Sequence, residues 1–179
     1  AVALRSSLDV LTTMDGEPLP PIVDFDALFI ADSHEKVVLI APQLAFHDVT
    51  GVRLLGAGGW NHPDLLTMGR KHVRGAIFAE TFYAEYPHPA VTHYVERYSS
   101  GYDGEPSQFS AQSYDATNLV LAQLARGTVT RDGVTLGLLR VRDYAGVSGS
   151  TSVQPDGNAR KRPFLLEVRW GRILPLKTP

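Results

Sequence analysis

The stretch Arg53-Leu-Leu-Gly-Ala-Gly-Gly-Trp-Asn-His-Pro-Asp-Leu65 (RLLGAGGWNHPDL) runs from apolar residues into three glycines within four positions, then into a tryptophan and a proline. An apolar run, a glycine turn and a proline suited to a first helical turn spell strand, loop and helix. A dinucleotide fingerprint would need a further glycine opening the helix. Gly56, Gly58 and Gly59 are instead followed by Trp60-Asn61-His62, and no Walker lysine follows. The stretch therefore reads as a turn at the carboxyl end of a parallel strand, the edge where open α/β sheets receive ligands.

On the amino side, residues 25–30 (FDALFI) form a short apolar run with only Asp26 charged, the pattern of a strand covered on both faces. Residues 34–47 admit two readings, because Val37, Val38, Ile40, Ala41, Leu44 and Ala45 form a helical stripe around a strand-like core. A crossover of a dozen or so residues is needed between parallel strands, so the helix is preferred, with a break or kink expected at Pro42. Strand 52–56, helix 63–68 and strand 75–79 complete a β-α-β-α-β rhythm, which implies a parallel sheet flanked by helices. Helices are predicted from Pro89 to Gly101, over 108–125 and, more weakly because of Gly133 and Gly137, over 130–141. Segments 149–153, 164–169 and 172–176 read as an antiparallel meander at one edge of the sheet. A helix over 2–11 and a proline-rich linker at 14–21 precede the ordered core.

The chain has 179 residues, 44% hydrophobic and 20% charged, with net charge -2. That is ordinary globular composition with no basic footprint for nucleic acid; Arg160-Lys161-Arg162 reads as a solvated turn. No apolar run approaches the ~18 residues of a membrane-spanning helix. Zero cysteines exclude disulfides and thiolate metal sites. The chain begins at Ala1 without an initiator Met, which fits removal of a preceding segment.

The six histidines, His34, His47, His62, His72, His88 and His93, show no ligand spacing, so no metal site is expected. Gly146-Val-Ser148-Gly149-Ser150 misses the G-x-S-x-G spacing, and Asp24 with Asp26 reads as a solvated strand end. Nothing assembles a nucleophile, base and orienting group, which points to a non-enzyme. Trp60 reads either as a ring that stacks on a ligand or as packing at the sheet end. Asp32 and Ser33 end the preceding strand at the same edge, facing the same crevice or capping the next helix.

The runs FDALFIADS (25–33), LIAPQL (39–44), VRLLGAGGWN (52–61) and VRGAIF (73–78), followed by FSAQSYDA (109–116) and VRDYAGVSG (141–149), resemble in order the second half of type I periplasmic-binding proteins. The nearer likeness is to the branched-chain amino acid receptor and penicillin-binding-protein activator group. The resemblance spans about 25–176 and implies an α/β fold. Its core is a Rossmann-like three-layer lobe with a parallel sheet and C-terminal antiparallel strands, and it adds helices of the family's other lobe. In lobe terms, 22–83 and 146–176 would form the second lobe, and 88–143 would supply first-lobe helices whose apolar faces need a partner, a second copy included.

By the same resemblance Asp32, Ser33, Trp60 and Asn61 face the ligand cleft, and Phe82 and Tyr83 lie where the chain crosses between lobes, as hinge or packing. The acidic anchor for a ligand ammonium would fall near Gly58, which has no side chain. The resemblance implies a non-catalytic solute-binding or sensing module of the bacterial cell envelope, without cofactor, holding an amino acid or similar small ligand between lobes; the parent would be periplasmic and lipid-anchored. The alternative is a penicillin-binding-protein-activator-like interaction domain that regulates peptidoglycan synthesis through an envelope protein partner. A dinucleotide enzyme would require the glycine turn to hold phosphate.

Overall fold

The computed structural model describes residues 23–176, so the helix expected over 2–11 and its linker lie outside the described residues. β1 (Ala27–Ile30), α1 (His34–Phe46), β2 (Arg53–Gly56), α2 (Pro63–Gly69) and β3 (Ile77–Glu80) alternate as the glycine and proline punctuation predicts. β1 and β2 pair in parallel with Ile30 opposite Gly56, and β2 pairs in parallel with β3 with Gly56 opposite Phe78. The three strands thus end at a common carboxyl edge, and β3 overhangs β2 by two residues.

β7 (Phe164–Arg169) and β8 (Arg172–Pro175) extend the sheet in antiparallel fashion, giving the order β1-β2-β3-β7-β8. Leu54, Phe78, Leu166 and Val168 project to one face, where Val37, Val38 and Ala41 of α1 and Leu65 of α2 meet them as one core. Each fully buried side chain of this kind contributes about 1.5–3 kcal/mol. The opposite face carries Phe29 and Leu165, 58% and 47% exposed. Where a break or kink was expected at Pro42, α1 continues through it without a break. Its buried flank of Val37, Val38 and Ala41 outweighs the one backbone bond that proline forgoes.

α3 (Pro89–Gly101), α4 (Gln108–Ala125) and α5 (Arg131–Leu138) follow, then β4 (Tyr144–Gly146), β5 (Gly149–Val153) and β6 (Ala159–Arg162). α5 ends short of the predicted 141, consistent with its two glycines. β4, β5 and β6 form a separate three-stranded sheet, which corrects the meander. Segment 149–153 does not join the main sheet but turns back through 154–158 onto β6. Among the described residues β7 and β8 line the antiparallel edge of the main sheet, and strands β4, β5 and β6 pair in a sheet of their own. Sequence reading missed β6 because Ala159-Arg-Lys-Arg162 has no apolar alternation to mark a strand.

Asp115 of α4 ties this small sheet to the helices. Its buried carboxylate accepts the Val147 N–H at 2.9 Å and the Ser148 N–H at 2.8 Å, and also the Ser148 hydroxyl. Lys161 of β6 donates to Ser148 Oγ and lies 3.9 Å from the same carboxylate. Burial pulls the Lys161 ammonium below its ordinary pKa, with Asp115 opposing that shift.

Candidate functional site at the carboxyl edge of the sheet

The glycine turn is built around Trp60, whose side chain is completely buried. Gly56 is required beneath it: a Cβ there would fall inside the indole, 2.5 Å from Cδ2. The indole N–H donates to the Asp32 carbonyl at 2.7 Å, and the ring tilts against Phe78 with centroids 5.8 Å apart. Of the two readings of Trp60 the structure shows the packing one, because the ring has no open face. The turn is held again by the Gly59 carbonyl, which accepts the His34 backbone N–H at 3.1 Å and has His34 Nδ1 at 3.1 Å.

The residue that sequence reading missed is Glu80. It occupies the overhang of β3, 6% exposed, with its carboxylate directly behind the turn. One oxygen accepts the Gly59 N–H at 3.2 Å and the other the Thr81 N–H at 2.9 Å. A Cβ at Gly58 would lie 3.4 Å from Glu80 Oε1. A carboxylate therefore stands beside the position where Gly58 itself has no side chain. The signal was present: strand alternation puts position 80 on the same buried face as Phe78, and an acid there needs partners.

Asp32 and Asn61 are exposed and Ser33 is half-buried along the same rim. The Asp32 carboxylate accepts the Ser33 N–H at 2.7 Å, and Ser33 starts α1 without a side-chain capping bond. Asn61, His62, Tyr83, Glu85 and Arg172 border a cavity of about 360 Å³ alongside. Phe82 and Tyr83 are both buried but enter different cores, Phe82 with Val91, Tyr94 and Val147, Tyr83 with the main-sheet cluster. The Tyr83 hydroxyl donates to the Ile173 carbonyl at 3.0 Å, and burial, then the Glu85 carboxylate, push its pKa up to about 12. The adjacent Phe82 and Tyr83 thus link the helical cluster to the main-sheet core, and Tyr86 packs against both.

The sequence model of the periplasmic binding protein family matches residues 24–172. The chain belongs to the periplasmic binding protein family. Solved structures agree with that membership. A Rhodospirillum rubrum protein provisionally assigned as a branched-chain amino acid ABC transporter is 27% identical, with TM-score 0.77 over 84% of this chain and 44% of that one. A leucine-binding protein, LivK, of Thermotoga maritima is 25% identical, with TM-score 0.60 over 85% of this chain and 44% of that one. LivJ, a branched-chain amino acid transporter substrate-binding protein of Streptococcus pneumoniae solved with isoleucine, shares the fold at 23% identity and TM-score 0.55, over 89% of this chain and 44% of its own.

The chain thus spans less than half the length of these family structures. No curated protein sequence matches it. The family consists of solute-binding proteins, generally without catalytic activity. No helix among the described residues is long and apolar enough to cross a membrane.

Proposed function

We propose that this chain forms one wall of a non-catalytic solute-binding site of the bacterial cell envelope, and that its ligand is an amino acid or a similar small solute that carries an ammonium. The observation that carries the reading is the Glu80 carboxylate beside Gly58. It supplies, from the neighbouring strand, an anion suited to a ligand ammonium where the glycine turn has none. Asp32, Ser33 and Asn61 add polar groups along the rim, while Trp60 acts beneath the floor, holding the turn in place. Phe82 and Tyr83 serve as the hinge. The leucine named for the Thermotoga maritima relative supports the ligand class.

The test is chemical-shift mapping on the ¹⁵N-labelled chain with L-leucine, L-glutamate, L-lysine and 4-methylpentanoate, the last being leucine without its ammonium. The expected result is perturbation of the Gly59, Asn61 and Thr81 amides by an amino acid, weakened by Glu80→Gln, with little response to the des-amino acid. Silence at these amides for every ligand refutes the reading.

A second reading, the interaction domain regulating peptidoglycan synthesis, is favoured by apolar residues in the open. Phe109 is 72% exposed, Leu121 53% and Leu136 57%, all on α4 and α5. Such a surface suits a protein partner or a second copy. Sedimentation velocity tests it: concentration-dependent association abolished by Phe109→Glu with Leu121→Glu supports a self-associating face, and a monomer at all concentrations removes the second copy from consideration.

A further inference from the structure

His34 opens α1 and His62 caps α2, and the Trp60 turn brings the two together, with ring centroids 4.0 Å apart and planes within 13° of parallel. Asp64, in the first turn of α2, places Oδ2 3.5 Å from His62 Nδ1. One donor atom from each of the three lies within 4.8 Å of the other two. We propose that His34, His62 and Asp64 bind a divalent transition-metal ion of the Zn²⁺ class. This site is independent of whether the neighbouring edge binds an amino acid.

Two imidazoles and one carboxylate are a borderline donor set, which suits Zn²⁺, Ni²⁺ or Cu²⁺ and not Mg²⁺ or Ca²⁺, whose shells are built from oxygen. With metal–donor bonds of about 2.0–2.1 Å, donors in a tetrahedral shell lie roughly 3.4 Å apart. The His62–Asp64 pair already stands at that spacing. The His34 ring is oriented for coordination, since Nδ1–H donating to the Gly59 carbonyl leaves the lone pair on Nε2, the tautomer that a backbone carbonyl commonly selects behind a metal-binding histidine. His62 Nδ1 now accepts the Asp64 N–H at 3.2 Å, and the ion takes over that lone pair.

An ion lies in the plane of each imidazole it binds, so the stacked rings describe the metal-free arrangement and at least one ring turns on binding. His62 and Asp64 have room to move, their side chains being 46% and 51% exposed. Helix N-termini carry partial positive charge that opposes a cation, and the Asp64 carboxylate offsets it. Three protein ligands leave a fourth position for water or a solute. An ion here would pin α1 to α2 across Gly59, whose N–H holds Glu80, so occupancy would stiffen the turn beside that carboxylate.

The experiment is calorimetric titration of the untagged, chelator-treated 179-residue chain with ZnCl₂ and, separately, MgCl₂. One Zn²⁺ per chain is expected, with no Mg²⁺ heat. His34→Gln and His62→Gln should each weaken Zn²⁺ binding by more than about tenfold, since even outer partners of metal ligands are worth 10–100-fold. His72→Gln, elsewhere on the surface, should leave it unchanged. Circular dichroism of each variant confirms that it is folded. Absence of Zn²⁺ binding, or binding that survives in folded His34→Gln and His62→Gln, overturns the proposal.

Discussion

Gly56→Ala tests the interlock of the glycine turn most directly. The new methyl would sit 2.5 Å from indole Cδ2, where ordinary carbon contacts begin near 3.4 Å, so the ring must retreat by roughly 1 Å. Trp60 is wholly buried against Phe78, and its N–H bond to the Asp32 carbonyl is 2.7 Å long, so a retreat of that size breaks the bond. Overpacking typically costs about 1–3 kcal/mol. Leaving a buried donor unpaired adds about 1–3 kcal/mol.

The expected loss is therefore about 2–6 kcal/mol, a large share of the 5–15 kcal/mol typical of a whole domain. Urea unfolding followed by far-ultraviolet circular dichroism measures it as a lower midpoint at unchanged slope. Trp60→Leu should be destabilising alone, through the cavity it leaves. Combined with Gly56→Ala it should cost less than the sum of the two, because the methyl then has space; the coupling should be at least about 1 kcal/mol. A Gly56→Ala protein within about 0.5 kcal/mol of wild type, or strict additivity in the double variant, would refute the reasoning.

Asp115→Ala should destabilise by about 3–5 kcal/mol, because it leaves the Val147 and Ser148 donors and the Lys161 ammonium without their shared acceptor; urea midpoints measure it. Tyr83 should be the last tyrosine to ionise, near pH 12, in an absorbance titration at 295 nm, and Tyr83→Phe should remove that late step. Because its folded pKa lies above the unfolded value near 10, the stability it contributes is present below pH 10 and is lost as pH rises from about 10 to 12. Phe109→Glu with Leu121→Glu should change stability by less than about 0.5 kcal/mol, since both side chains already stand in solvent; thermal denaturation checks it.

The local signals of the chain were sufficient for the β-α-β-α-β order. Apolar runs at 25–30, 52–56 and 75–79, punctuated by the 56–59 glycines and Pro63, depend on turn chemistry and periodicity that act within a few residues. Even Pro42 could be placed in a helix by the stripe around it. The same local reasoning gave no warning that β5 would pair with β6, because a strand of Ala and basic residues is defined by the backbone of its neighbour and not by its own side chains.

The site divides along the same line. That the ends of β1 and β2 share one edge with Asp32, Ser33 and the glycine turn was legible from the sequence, because the end of a parallel strand is a topological position that sequence order determines. Only the tertiary structure decided that Trp60 lies under the turn, that Glu80 reaches behind Gly58 from the next strand, and that His34 and His62 share a stack. Each of these depends on strand register and on which face a residue takes. Those are set by the packing of the whole sheet against α1 and α2, and no stretch of neighbouring residues contains them.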